Sequence, residues 1–352
     1  MSHCPDLLEE NACLSRVEER LGTAAPSAPV AFEFIAELEA LIHSLGPRAH
    51  AVKLELICRI SPEVPARVLG NPAPLFQALT LLVENAICAT EQGEVLLDVY
   101  SADREVLPSP FAADWAPPEP RSQSAVGPVP FLFEVSASCR DQTRTNQLES
   151  VETAAQLIET LGDRLTERCE PGVRREWAFR LALEPAFAAC QADRQVSAAI
   201  RGRSVLVVDD NATTRSLLEE FLTGWGIRVS VADSGGAALE TIRQAHARAT
   251  PFDALLLDAR MPRLSGFEVA QHLLKNPGLC GPVLLLMPAP FRRGDEAFCR
   301  RLGVAARVGK PVRRAELLQA LETVLAERNA IVTVGEGVRA PSSLMPVQAS
   351  DA

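Results

Sequence analysis

The C-terminal half of the sequence predicts an α/β domain built on a doubly wound, five-stranded parallel sheet. Five short apolar runs alternate there with five amphipathic helical stretches, which is the pattern of parallel βα units. Acidic residues stand at the carboxyl end of two of these apolar runs. A stretch without periodic apolar residues, 186–201, separates this half from an N-terminal half with a different order of elements.

The predicted elements of this half follow one another with short connections. In chain order they read SVLVV, TRSLLEEFLTGWG, RVSVA, GGAALETIRQAHA, ALLLD, GFEVAQHLLK, PVLLLM, GDEAFCRRLG, AARVG and RRAELLQALETVLAE, each apolar run being followed by a helix. Because the crossovers of βα units are right-handed, all five strands point the same way, and a site is expected at their carboxyl ends. The residues that fall there are Asp209, Asp210, Asp258, Met287 and Lys310.

The chemistry of these strand ends indicates a metal site. Asp209, Asp210 and Asp258 would repel one another unless a cation that prefers oxygen ligands, for which Mg²⁺ is the best candidate, neutralised them. Lys310 would add a compact positive charge suited to an oxyanion or a phosphoryl group. The pattern therefore predicts a Mg²⁺ site that presents one aspartate as the nucleophile of a phosphoryl transfer.

Three motifs, VLVVDDN, LLLDARMPRLSGFE and VGKPV, resemble in order and spacing those of the receiver domain of response regulators, which has a flavodoxin-like fold. The resemblance covers about 125 residues. It implies that Asp258 is the phosphoacceptor and that Asp209, Asp210 and the backbone carbonyl of Arg260 hold Mg²⁺. It also implies that Lys310 contacts the phosphoryl group and that the bond before Pro311 is cis.

Two positions depart from the receiver pattern. Met287 stands where the family has a Thr or Ser that switches on phosphorylation, and Arg307 stands where it has an aromatic residue. A thioether cannot donate a hydrogen bond to a phosphoryl oxygen, so the usual conformational readout is expected to change. Two alternatives stay open: a pseudo-receiver that only binds partners, and a haloacid-dehalogenase-like phosphatase, which would need an Asp where this chain has Asn211.

The N-terminal half resembles, in its order of elements, the ATP-binding domain of sensor histidine kinases, an α/β-sandwich. An amphipathic helix, a strand, a proline-containing turn, a second helix and a strand come first, and AAQLIETLGD with the hairpin that follows closes the unit. LLVENAICAT is similar to the N-box of that family. By this resemblance Asn85 would help to hold Mg²⁺ and Glu84 would be a candidate base.

The nucleotide-binding turns of that family are not recognisable in this sequence. VSASCRDQTRTNQ occupies the place of the Asp-x-Gly-x-Gly turn, with Asp141 as its only carboxylate and no glycine, and no glycine-rich lid precedes the last helix. The run CLSRVEERLGTAAPSAPVAFEF resembles the end of a dimerisation helix, but no His carries the expected acidic neighbour and proline. A degenerate nucleotide site is predicted, with neither ATP binding nor histidine kinase activity expected.

Composition sets the remaining expectations. The chain has 352 residues, of which 47% are hydrophobic, enough for about two domains, and its formal net charge is -10. This acidic balance argues against a nucleic-acid partner. Apolar runs of strand length and an N-terminus without a signal-peptide pattern argue against a membrane and for a cytoplasmic location.

These observations predict a phosphorelay protein in five parts. The parts are a remnant of the dimerisation helix at 1–29, an ATPase-like domain at 30–185 with a Pro-rich insertion at 107–130, a linker at 186–201, a receiver domain at 202–327 and a disordered tail at 328–352. The expected partner is a histidine kinase or a histidine phosphotransfer protein. A phosphorylation-independent scaffold, a residually active hybrid kinase and a homodimer stay open as alternatives.

Overall fold

The computed structural model describes residues 29–101, 128–138, 148–170, 173–186, 197–288, 291 and 294–336. The chain divides into two compact units, and the main division falls near residue 195, while the short segments Pro288–Phe291 and Gly309–Val312 group with the first unit. The predicted helix remnant, most of the Pro-rich insertion and Asp141 lie outside the described residues.

The first unit is a mixed sheet covered on one face by helices. Its described elements are β1 (Val30–Phe32), α1 (Phe34–Ala51), β2 (Glu55–Ile60), β3 (Val68–Gly70), α2 (Pro72–Ala89), β4 (Glu94–Ser101), β5 (Val129–Ser138), α3 (Leu148–Thr160), β6 (Thr166–Glu170) and β7 (Arg174–Pro185). The strand order is β1-β3-β7-β5-β4-β2, with β6 paired to β7. Strands β2 and β4 are parallel, and the other described pairs of this sheet are antiparallel. The helices and strands share one core that includes Phe34, Leu79 and Trp177.

Helix α2 begins with Pro72 at a position where proline needs no hydrogen-bond partner for its nitrogen. By length and composition alone, this helix could cross a membrane. Its apolar stretch is therefore longer than the strand-sized apolar runs that were predicted from the sequence. Eight of its residues are buried in the first unit. This burial is typical of the central helix of a packed domain.

Two predicted boundaries in the chain are wrong. Strand β5 begins at Val129, inside the stretch predicted as an insertion to residue 130, because all ten of its residues pair with β7, and seven of them also pair with β4. The last helix, α8, continues to Glu336 although a disordered tail is predicted from residue 328. Residues 328–334 contain no Gly or Pro, so nothing in that stretch stops the helix.

The second unit is the predicted doubly wound sheet. Its described elements are β8 (Ser204–Val208), α4 (Ala212–Gly224), β9 (Arg228–Ala232), α5 (Gly235–Ala247), β10 (Ala254–Asp258), α6 (Gly266–Leu274), β11 (Val283–Pro288), α7 (Asp295–Arg301), β12 (Val304–Lys310) and α8 (Arg314–Glu336). The strand order β12-β11-β10-β8-β9 and the parallel pairing confirm the predicted fold class. The bond between Lys310 and Pro311 is cis, as the resemblance implies.

The central strands of this sheet are buried on both faces, which is why they read as continuous apolar runs. All five residues of β10 are buried, as are four of the five in β8. Helices α4, α5 and α6 start at the same edge, each with a side-chain cap, from Asn211, Ser234 and Ser265 respectively. Strand ends and helix starts therefore meet along one rim.

Candidate functional site

Three aspartates meet at the carboxyl edge of the second sheet. Asp209 and Asp210 follow β8, and Asp258 is the last residue of β10. One carboxylate oxygen from each lies within 4.8 Å of the others. Asp209 and Asp258 are buried, whereas Asp210 is exposed. The strand order brings these residues together because β8 and β10 are direct neighbours.

The side chain and backbone of Asp209 are held by several hydrogen bonds. Its Oδ1 accepts a hydrogen bond of 2.9 Å from the backbone N–H of Asn211, and its own N–H donates to the carbonyl of Ala232 at 3.3 Å. The carbonyl oxygen of Asp209 accepts a 2.6 Å hydrogen bond from Nη1 of Arg215. The first acidic side chain therefore has a defined orientation at the rim.

Asp258 is held in a similar way. Its Oδ1 accepts a hydrogen bond of 3.0 Å from the backbone N–H of Arg260. Helix α6 starts very close to this residue, because a Cβ added to Gly266 would lie 2.1 Å from the carbonyl oxygen of Asp258. Only glycine fits at that approach. Gly266 was not among the site residues predicted from the sequence, although a glycine at the predicted start of the helix that follows the acidic strand end is a signal that could have identified it.

The donor set suits a magnesium ion. Three carboxylates are hard oxygen ligands, and two of them carry an oxygen, Oδ2, that is buried in the rim. Three negative charges at this separation repel one another, and a divalent cation would relieve the repulsion. The backbone of Arg260 lies beside Asp258, where the sequence analysis expects a carbonyl ligand.

Met287 is turned toward the apolar core. Its side chain is 6% exposed and belongs to the apolar cluster that also contains Leu257 and Val269. The thiol of Cys299 on α7 lies 3.8 Å from the Met287 sulfur. At the position where the receiver family has a Thr or Ser hydroxyl, this chain has a methionine side chain that packs in the apolar core.

Arg307 and Lys310 both lie on β12. Arg307 is half-buried in the strand, and Lys310 is its last residue. The Nζ of Lys310 donates a hydrogen bond of 3.2 Å to Oε1 of Glu55, so this lysine is held by that carboxylate. Burial raises the pKa of the Cys299 thiol, and the positive charge of Arg307 opposes this change. The positive charge of Arg307 therefore acts electrostatically on the Cys299 thiol of α7.

The two predicted nucleotide-site residues lie on α2 in the first unit. Glu84 forms an ion pair with Arg48 of α1, and Asn85 is buried. Burial raises the pKa of the Glu84 carboxyl, while the charge of Arg48 acts in the opposite direction. The carboxylate that the resemblance assigns as a base is therefore already engaged by a cation, which the sequence analysis did not predict.

Comparison with known families identifies the second unit. Residues 205–322 match the model of the response regulator receiver domain. This match spans the rim with the three aspartates, together with the five-stranded sheet that carries it. The second unit is therefore a receiver domain, and the resemblance drawn from its motifs is confirmed.

Curated relatives extend the likeness into the first unit. The sensor histidine kinase AruS of Pseudomonas aeruginosa is 29% identical over 336 residues, which are 90% of this chain and 31% of that protein. The virulence sensor protein BvgS of Bordetella bronchiseptica is 28% identical, over 85% of this chain and 25% of that protein. This chain thus spans between a quarter and a third of the length of these relatives.

Among solved structures, the receiver domain of sensor histidine kinase PA1611 from Pseudomonas aeruginosa is 27% identical and has a TM-score of 0.31. The match covers 36% of this chain and 98% of the PA1611 receiver domain. That structure is described as having a magnesium ion coordinated in the active site cleft.

Proposed function

We propose that this chain is a phosphorelay protein whose receiver domain accepts a phosphoryl group on Asp258. The observation that carries the proposal is the cluster of three aspartates at the carboxyl edge of a receiver sheet. The donor of the phosphoryl group is a phosphohistidine on a histidine kinase or a histidine phosphotransfer protein. The protein acts in the cytoplasm, without nucleic acid as a partner.

The reaction is an in-line displacement at phosphorus. A carboxylate oxygen of Asp258 forms a bond to phosphorus while the phosphorus–nitrogen bond to the donor imidazole breaks, and the electron pair of that bond returns to the imidazole. Bound through Asp209, Asp210, Asp258 and the carbonyl of Arg260, Mg²⁺ would neutralise charge on the phosphoryl oxygens. Lys310 would add a positive charge toward the same group once its Nζ leaves Glu55, to which it is bonded in this structure.

Asp258 suits the nucleophilic role for a geometric reason. The hydrogen bond from the N–H of Arg260 occupies Oδ1, so the carboxylate keeps one orientation at the end of the buried strand. A nucleophile fixed in this way loses little freedom on reaching the transition state. The close start of α6 at Gly266 restricts the backbone of Asp258 further.

The first unit acts in this proposal as a degenerate ATPase-like domain that binds no nucleotide. The ion pair between Arg48 and Glu84 supports this view, because a carboxylate engaged by a guanidinium is a poor general base. Asn85 fits the same view, since it is buried within the packed unit.

Phosphorylation of the purified chain by a small-molecule phosphodonor tests the main proposal. Wild type, Asp258→Asn and Asp233→Asn are incubated with the donor and Mg²⁺, and intact mass is measured. Asp233 is an exposed aspartate after β9 and controls for the loss of one charge. One phosphoryl adduct on wild type and Asp233→Asn, with none on Asp258→Asn, is the expected result.

A folded wild type that gains no adduct would refute the receiver function and favour the phosphorylation-independent scaffold. The nucleotide question has its own measurement, since a ligand that binds only the folded state raises the melting temperature. No ATP-dependent shift is expected with Mg²⁺ present. A shift that disappears in Asn85→Ala would instead restore the hybrid kinase alternative.

A further inference from the structure

Arg215 is a candidate for a role in the receiver site that the motifs do not assign. It lies in the first turn of α4 and its Nη1 donates a 2.6 Å hydrogen bond to the carbonyl oxygen of Asp209. Asp209 is fully buried, and a buried carbonyl needs such a donor. A hydrogen bond from a charged donor is also stronger than one from a neutral group.

The bonded carbonyl belongs to the peptide that joins Asp209 to Asp210. Because a peptide unit is planar, holding its oxygen also fixes the N–H and the Cα of the next residue. Both neighbouring side chains belong to the acidic cluster. The guanidinium of Arg215 therefore controls how two of the three carboxylates face each other.

Helix α4 provides a rigid base for this contact. The side chain of Asn211 caps the helix by accepting a 2.8 Å hydrogen bond from the N–H of Thr214, and the N–H of Arg215 donates to the carbonyl of Asn211 at 3.1 Å. The N–H of Asn211 in turn donates to Oδ1 of Asp209. The segment from Asp209 to Arg215 thus forms a closed set of hydrogen bonds around the acidic pair.

We infer that Arg215 is a positioning residue that orients the Asp209–Asp210 peptide for Mg²⁺ binding, an inference that rests on the proposed receiver function. A guanidinium could act on the metal in two opposite ways. As a positive charge near the site it would weaken Mg²⁺ binding, so its removal would tighten binding. As a positioning group it pre-arranges the ligands, so its removal weakens binding.

Calorimetric titration of the full chain with Mg²⁺ alone separates these effects by sign. The variants are Arg215→Met, which removes charge and donors, and Arg215→Lys, which keeps the charge on a single donor nitrogen without the planar fork. Arg243→Met removes an exposed arginine of α5 and serves as the matched control. We expect Arg215→Met to bind Mg²⁺ about tenfold more weakly, Arg215→Lys to fall between it and wild type, and Arg243→Met to equal wild type.

Unchanged or tighter binding by Arg215→Met would overturn the inference. Urea unfolding without Mg²⁺ is measured in parallel, because a merely structural role would lower stability without changing affinity per folded molecule. If Arg215→Met does not fold, the Arg215→Lys variant decides, and an affinity equal to that of wild type overturns the inference. Absence of Mg²⁺ binding by wild type would instead refute the proposed receiver site itself, together with this inference.

Discussion

Replacing Gly266 by alanine tests whether the position of Asp258, the proposed phosphoacceptor, depends on the close approach of α6. The added Cβ would lie 2.1 Å from the carbonyl oxygen of Asp258, 2.9 Å from its carbonyl carbon and 3.0 Å from the Cα of Ala259. All three neighbours are backbone atoms, so no side chain can rotate away. Either β10 or the start of α6 has to move.

The size of this movement follows from the contact distance. Non-bonded heavy atoms prefer a separation of about 3.5 Å, so the overlap at the Asp258 carbonyl exceeds about 1 Å. Overpacking of this kind costs about 1–3 kcal/mol, and alanine recovers at most about 1 kcal/mol through its higher helix propensity. We expect the second unit to lose about 2 kcal/mol of stability, and a misplaced nucleophile to lose about 100-fold in phosphorylation rate.

Hydrogen exchange of peptides from β10 and α6, measured by mass spectrometry, reports the stability change. Gly236→Ala is the matched control, because Gly236 also lies in the first turn of a helix and its added Cβ would contact nothing within 4 Å. The control is expected to match or slightly exceed wild type. Gly266→Ala that exchanges and phosphorylates like the control would refute the reasoning.

Three further predictions concern charged and capping groups. Asp210→Asn should raise the urea midpoint without Mg²⁺, because it removes repulsion from the acidic cluster, and should reduce the Mg²⁺-induced rise of the melting temperature. Ser265→Ala removes the cap of α6 and should lower stability by about 1 kcal/mol in urea unfolding. Hydrogen bonds from Ser265 lower the pKa of the Glu268 carboxyl below its ordinary value of 4.5. The stability that these bonds contribute is therefore complete above pH 4.5 and is lost as the pH falls through the lower pKa of the folded state. Ser265→Ala should weaken this dependence of stability on pH. Arg59→Met leaves buried Asp98 without its bidentate partner and should cost about 2 kcal/mol at neutral pH, and this loss should shrink at low pH where Asp98 is protonated. A loss of stability by Arg59→Met that is equally large at neutral and low pH would contradict this last prediction.

The elements of the receiver were readily predicted because local and global signals agree there. Strands β8, β9 and β10 and helix α5 have the residues that the apolar pattern assigns to them. Each buried parallel strand is a continuous apolar run, and each of these helices starts at a capping residue. In such a sheet, the strand order also decides which acidic residues meet.

The first unit was harder to predict because long-range pairing decides its strands. Strand β3 has three residues and lies in a stretch that reads as a proline-rich turn, and its pairing partners β1 and β7 are distant in sequence. Strand β5 contains Pro130 and follows a proline-rich stretch, so the residue at which the strand begins could not be predicted from composition. The ion pair of Arg48 with Glu84 joins two helices, and such a contact leaves no periodic signal in the sequence.

Met287 shows how acceptor chemistry and conformational output can separate within one receiver. The residues proposed for phosphoryl transfer come mainly from the ends of β8 and β10, where hydrogen bonds from backbone N–H groups fix Asp209 and Asp258. Met287 lies on β11, on the other side of β10, where its sulfur packs beside Cys299 of α7. A hydroxyl there could follow a phosphoryl oxygen, but a thioether in an apolar cluster has no donor with which to do so. Loss of that response leaves the carboxylates untouched, so the proposed acceptor reaction does not depend on the residue at this position.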